Sequence, residues 1–146
     1  MRKFILAALS ALMLTACRTT DGVSIYSPDN KPTVVTPRSK PQAKAAEKAI
    51  FTRPALGFKV TQETPTRILL SKYLPANVND NNSLKHRTKG RPLAQVELTF
   101  RSEGGKTRVT ADNGMLLNPY GTDKDKFNLL QISDGRRLKK KLNELG

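Results

Sequence analysis

The chain lacks most of the side chains that metal binding and disulfide bridges require. Its 146 residues include one cysteine, one histidine, no tryptophan and eight other aromatic residues. One cysteine cannot form an intramolecular disulfide, and metal sites need several Cys, His or clustered carboxylate ligands. We therefore expect no disulfide, metal ion or cofactor, and a modest core built mainly from Leu, Val and Ile.

Acidic residues are also scarce, since 12 Asp and Glu stand against 26 Lys and Arg, for a formal net charge of +14. Such a surplus favours association with polyanions, and this attraction weakens as the salt concentration rises. The alternative interpretation is a basic surface that only keeps the protein soluble or close to a membrane.

A catalytic set is missing from the sequence. The single histidine, His86, lies in a polar segment among cations, and no residue nearby would orient it as a base. No serine lies in the context of a nucleophile elbow. Asp123 and Asp125 stand among lysines and are more typical of a helix start than of a metal site. We interpret the protein as a non-enzyme with no catalytic residues.

The only long apolar run, from Phe4 to Leu14, follows two cations and precedes two small residues. This order is typical of a secretory signal, and the run is shorter than the roughly 20 residues of a transmembrane helix. Residues 14–17, Leu-Thr-Ala-Cys, resemble the lipobox of bacterial lipoproteins. The resemblance implies removal of the signal peptide, residues 1–16, and a lipidated, palmitate-bearing Cys17. The alternative is an ordinary signal that happens to end near a cysteine.

The residue after the lipidated cysteine indicates which membrane carries the protein. Arg18 is not the aspartate that retains many lipoproteins in the inner membrane. For a Gram-negative source, the resemblance therefore implies a lipid anchor at the periplasmic face of the outer membrane.

Residues 17–50 have the composition of a lipidated flexible tether. They contain four prolines and few apolar residues, so they cannot bury enough surface to offset the entropy of ordering. Fully stretched, this segment would reach about 110 Å. A short helix over residues 42–51 could end it. Residues 51–146 then form a single small globular domain.

The clearest structural signal is a hairpin over residues 93–113. Apolar and polar residues alternate up to Gly104-Gly105, a pair that suits a tight two-residue turn. Counting back from the turn places Phe100 opposite Val109 on the buried face. The same register places like charges opposite each other on the outer face, so either neighbouring charges offset the repulsion or a bulge shifts the pairing.

Weaker patterns complete the domain. Residues 56–61 and 66–74 are predicted strands, and residues 75–92 form a long polar loop. Apolar residues from Phe127 to Leu145 recur at helical spacing, with a cap at Thr122 or Asp123. Gly135 allows either one kinked helix or two shorter pieces. The predicted fold class is α+β, a small antiparallel sheet with a central hairpin, packed by a carboxyl-terminal amphipathic helix after a disordered amino-terminal tether.

Two dense basic clusters are candidate sites for a polyanion or an acidic partner, with solvated surface charge as the alternative. The first lies in the polar loop and comprises Lys85, Arg87, Lys89 and Arg91. The second lies in the predicted helix and comprises Arg136, Arg137, Lys139, Lys140 and Lys141. Neither is interleaved with aromatic residues that could stack on bases, so nucleic acid is not an expected partner.

The sequence therefore predicts a lipid-anchored envelope protein that acts as a non-catalytic binding or assembly module. One hypothesis is an accessory subunit of an envelope complex for secretion, conjugation or outer-membrane assembly. The other is a free-standing binder of lipid or anionic glycan. The expected partners are the membrane through the anchor and either envelope-complex proteins or an anionic lipid or glycan.

Overall fold

The structure is a computed structural model that describes residues 26–27, 29–130 and 133–145. Within these residues, the strands all belong to one antiparallel sheet and the two helices pack on it, so the predicted α+β class is confirmed. The elements in chain order are β1 (Thr33–Thr36), α1 (Lys40–Phe51), β2 (Lys59–Thr64), β3 (Arg67–Tyr73), β4 (Leu93–Glu103), β5 (Lys106–Leu116), β6 (Lys126–Asn128) and α2 (Ser133–Asn143).

The predicted hairpin forms the centre of the sheet, between β4 and β5. Phe100 pairs with Val109, as the sequence predicts, and the turn falls on Gly104-Gly105. These glycines have φ angles of 56° and 79°, which a type I′ turn requires and which other residues rarely adopt. The local pattern of alternation and turn residues is therefore sufficient to set the register.

Like charges on the outer face of the hairpin are neutralised by neighbouring charges, without a bulge. Arg101 and Arg108 are partners in the register, and Glu103 lies 3.5 Å from Arg101 and 2.5 Å from Arg108. One strand away, Arg67 of β3 lies 2.5 Å from Glu97. The first of the two alternatives for this surface is therefore correct.

The sheet has the strand order β1-β5-β4-β3-β2. Because β4 covers one edge of β5 along its whole length, β1 and β6 share the opposite edge, at residues 107–110 and 114–116 respectively. The outermost strand on the other side, β2, is exposed at all six positions. It begins three residues later than the strand predicted at residues 56–61, whereas β3 matches the prediction closely.

Both helices cover the inner face of the sheet, where the main core lies. The core side chains from β3 to β5 come from alternate positions, as expected for a sheet with one buried face. Its fully buried members include Ile68, Leu70, Leu98, Phe100, Val109, Leu130 and Leu142. A second, smaller cluster lies beside it and comprises Leu84, Met115, Leu117 and Leu129.

The domain boundary predicted at residue 50 is wrong, because β1 and α1 belong to the domain. The Ser39 hydroxyl accepts a hydrogen bond from the Gln42 amide at 3.3 Å, and the Gln42 side chain accepts one from the Ser39 amide at 3.2 Å. This capping box starts a helix that includes the short one predicted over residues 42–51. The helix buries Ala43, Glu47, Ile50 and Phe51. Residues 1–25, with Cys17, lie outside the described residues, so the signal peptide and its lipidation stay predictions.

The carboxyl-terminal helix begins later than the spacing predicts. Phe127 lies in β6, paired with Met115, and α2 starts only at Ser133. Gly135 lies in the first turn of α2, and the helix continues through it. A Cβ atom at this position would collide with the carbonyl oxygen of Leu130, so the glycine permits a close approach between chain segments.

Candidate functional site

Part of the first basic cluster binds the loop that contains it to the rest of the domain. Arg87 donates two hydrogen bonds to Asp125, at 2.9 Å and 2.5 Å, and they lower the pKa of this carboxyl. Arg91 donates to the carbonyl oxygen of the residue after β3, at 3.1 Å. Lys85 and Lys89 are exposed. Two of the four cations therefore hold the loop against the body.

A cavity of about 530 Å³ lies between α2 and the inner face of the sheet. We call it the α2 cavity. Its wall includes members of both core clusters, so it occupies the space where the two clusters do not meet. The apolar lining comprises Phe51, Leu56, Phe58, Leu74, Val78, Ala94, Val96, Met115, Leu129 and Leu138. An apolar cavity with few polar groups is the usual form of a small-molecule site.

The cations at the α2 cavity come mostly from the second basic cluster. Arg137, Lys140 and Lys141 line it, because positions three and four apart share one side of a helix. Arg137 pairs with Asp134 at 3.3 Å, and Lys141 pairs with Glu144 at 3.1 Å.

The remaining members of the second cluster lie outside this lining. Lys139 donates to the carbonyl oxygen of Thr33 and so ties α2 to β1. Arg136 is exposed. The cluster is therefore divided, with three cations at the α2 cavity and one that positions the helix.

Lys72, on the opposite wall, is a site residue that the sequence analysis missed. Its Nζ atom donates to the carbonyl oxygen of Leu56 at 2.6 Å and lies 4.8 Å from the centre of the Phe58 ring. The alternation of β3 could have revealed Lys72. Because Ile68 and Leu70 point inward, the next inward position of the strand is Lys72. A lysine on a buried strand face indicates an opening to solvent.

A buried carboxyl group lies on the other helix. Glu47 is fully buried in α1, and neither of its carboxyl oxygens has a hydrogen-bond partner among the described residues. Burial, together with the nearby Glu144, raises its pKa to about 8, although Arg38 acts in the opposite direction. At neutral pH this group is therefore mostly protonated.

Two tyrosines form an exposed aromatic stack at the end of the sheet. The rings of Tyr73 and Tyr120 are parallel within 6°, with centres 5.8 Å apart, and are 45% and 70% exposed. The guanidinium carbon of Arg91 lies 5.7 Å from the Tyr73 ring centre. Tyr and Arg are the residue types most often found at the energetic centre of protein interfaces.

Metal ligands and membrane spans are not found in the described part of the chain. No three potential ligands come together there, and no helix has the length and apolar character needed to cross a membrane. His86 is exposed in its loop. No protein-family model matches the chain, and no curated protein sequence matches it significantly.

Proposed function

We propose that the protein is a non-catalytic binding module, anchored in the envelope through Cys17, and that the α2 cavity takes an apolar ligand. The observation that carries the proposal is the ten-residue apolar wall around about 530 Å³ of space that is open to solvent on one side. Transfer of apolar surface out of water is favourable. A ligand that covers this wall therefore gains binding free energy and stabilises the folded protein.

Binding is tested with N-phenyl-1-naphthylamine, a neutral probe whose fluorescence rises in apolar surroundings. The variant Ala94→Phe places a ring in the cavity, and we expect it to reduce probe binding severalfold. Ala45→Phe adds the same ring at an exposed position of α1 and serves as the control. Leu138→Ala enlarges the cavity and should preserve binding. Equal probe binding by the two phenylalanine variants, both folded, would contradict the proposed site.

The anchor is tested separately. Fatty-acid labelling should mark the wild-type protein, and Cys17→Ala should abolish the label and leave an unprocessed precursor. Normal processing and membrane fractionation of the variant would refute the lipoprotein assignment. At the outer membrane, we expect the periplasmic face to carry the protein.

The exposed stack of Tyr73 and Tyr120 favours a second candidate function, an accessory subunit of an envelope complex. A photo-crosslinking residue at position 120 should then trap one discrete partner in intact cells. The same residue at Lys106, at the tip of the hairpin, is the control. Identical cross-linking patterns at both positions would argue against this role.

A further inference from the structure

The α2 cavity is large enough to take a long acyl chain. Its space of about 530 Å³ is many times the roughly 10–15 Å³ within which one water molecule fits. The ten apolar side chains of its wall would lie against that chain.

The charges at the cavity select the head of the ligand. Arg137 and Lys141 each have an acidic partner, whereas Lys140 has none among the described residues. Lys72, on the facing wall, donates to a carbonyl oxygen, so its charge also stays uncompensated by a carboxylate there. An anion near these two lysines would gain charge-assisted contacts on both sides.

The lining also argues against a carbohydrate. Among the described lining residues, Asn113 is the only neutral polar side chain. Against the ten apolar lining residues, the hydroxyl groups of a sugar would lose their hydrogen bonds to water without replacement, which costs binding free energy. An anionic glycan therefore fits the charged residues but not the apolar wall.

We propose that the ligand is an amphiphile with an anionic head, a long-chain fatty acid, with its chain in the α2 cavity and its carboxylate between Lys140 and Lys72. This inference rests on the proposed function, since it names the ligand class of the same site. The lysine ammonium groups hold the head at the mouth while the chain covers the apolar wall.

The test is competition against N-phenyl-1-naphthylamine in the mature chain, residues 17–146, carrying Cys17→Ala, so that neither the signal peptide nor an acyl group on the protein competes. The competitors are oleate, oleyl alcohol and vesicles of dioleoyl phosphatidylglycerol. We expect oleate to displace the probe most strongly, with one oleate bound per chain. Added salt should weaken the binding of oleate and leave the binding of oleyl alcohol unchanged, because salt screens only the charge of the carboxylate.

Charge variants provide the decisive comparison. Lys140→Glu should weaken oleate binding about tenfold and leave oleyl alcohol unchanged. Lys106→Glu makes the same change at the far end of the hairpin and should alter neither. Lys140→Gln removes the charge without reversing it and should cause a smaller loss of affinity for oleate.

Each outcome points to one conclusion. If oleate and oleyl alcohol compete equally in every variant, the anionic head is refuted while apolar binding stands. If the diacyl vesicles compete as well as oleate and respond to Lys140→Glu, the ligand is a diacyl lipid and the fatty-acid assignment is refuted. If the probe itself does not bind, the proposed function fails.

Discussion

Glu47 should make the stability of the protein fall as the pH rises from mildly acidic to mildly alkaline. Its ordinary pKa is 4.5, and burial in the folded protein raises this pKa to about 8. Between these values the folded state holds a proton that the unfolded chain releases. The stabilisation is therefore complete below the unfolded pKa and is lost as the pH rises through the folded pKa.

The magnitude follows from the two pKa values. One pKa unit corresponds to 1.36 kcal/mol, so the gap between 4.5 and about 8 amounts to roughly 5 kcal/mol. About 3 kcal/mol of this loss has occurred by pH 7. In a small domain, such an amount is a large fraction of the total stability. Glu47→Gln cannot ionise, so its unfolding free energy should lack this dependence.

The measurement is urea unfolding at several pH values between 5 and 8. The difference in unfolding free energy between Glu47→Gln and the parent should grow by several kcal/mol across this range. Comparing two pH values cancels the constant cost of burying an amide. Glu63→Gln is the control, because hydrogen bonds from Lys44 and Lys48 lower the pKa of Glu63 and keep it charged throughout. Parallel curves for Glu47→Gln and the parent would refute the reasoning.

Three further predictions concern the fold. Deleting residues 26–50 should abolish cooperative unfolding, since it removes β1 and most of α1, and a truncated chain with full stability would restore the boundary at residue 50. Phe100→Ala should cost about 3–5 kcal/mol in urea unfolding, against at most about 0.5 kcal/mol for the exposed Thr99→Ala; equal effects would mean that the register is wrong. Gly135→Ala should lower the melting temperature despite the higher helix propensity of alanine, because its Cβ atom meets the Leu130 carbonyl, and a rise in melting temperature would show that this contact relaxes freely.

Local patterns predict the hairpin well and α1 only in part. The turn glycines and the alternation lie within one continuous stretch, so nothing distant is needed to set the register. The buried stripe of α1 runs through positions 43, 47, 50 and 51, which is helical spacing. Its second position is a glutamate, however, and a buried carboxyl group interrupts the apolar pattern that would reveal the stripe.

The candidate site depends on contacts between distant segments, which sequence patterns do not report. Lys139, Lys140 and Lys141 look equivalent in the sequence. In the fold, Lys139 binds the backbone of β1, Lys141 pairs with Glu144, and Lys140 lines the α2 cavity. Phe127 fits a helical pattern and a strand pattern equally, and pairing with Met115 on the free edge of β5 decides between them.

The position of Tyr26 sets how far the domain can stand above a membrane. Tyr26 packs against the main core, so the domain begins only nine residues after Cys17. However the intervening residues are arranged, they span at most about 30 Å. With Cys17 lipidated as proposed, this short connecting segment keeps the domain within about one protein diameter of the headgroups. An amphiphile that leaves the bilayer then has only a short distance to travel to the α2 cavity.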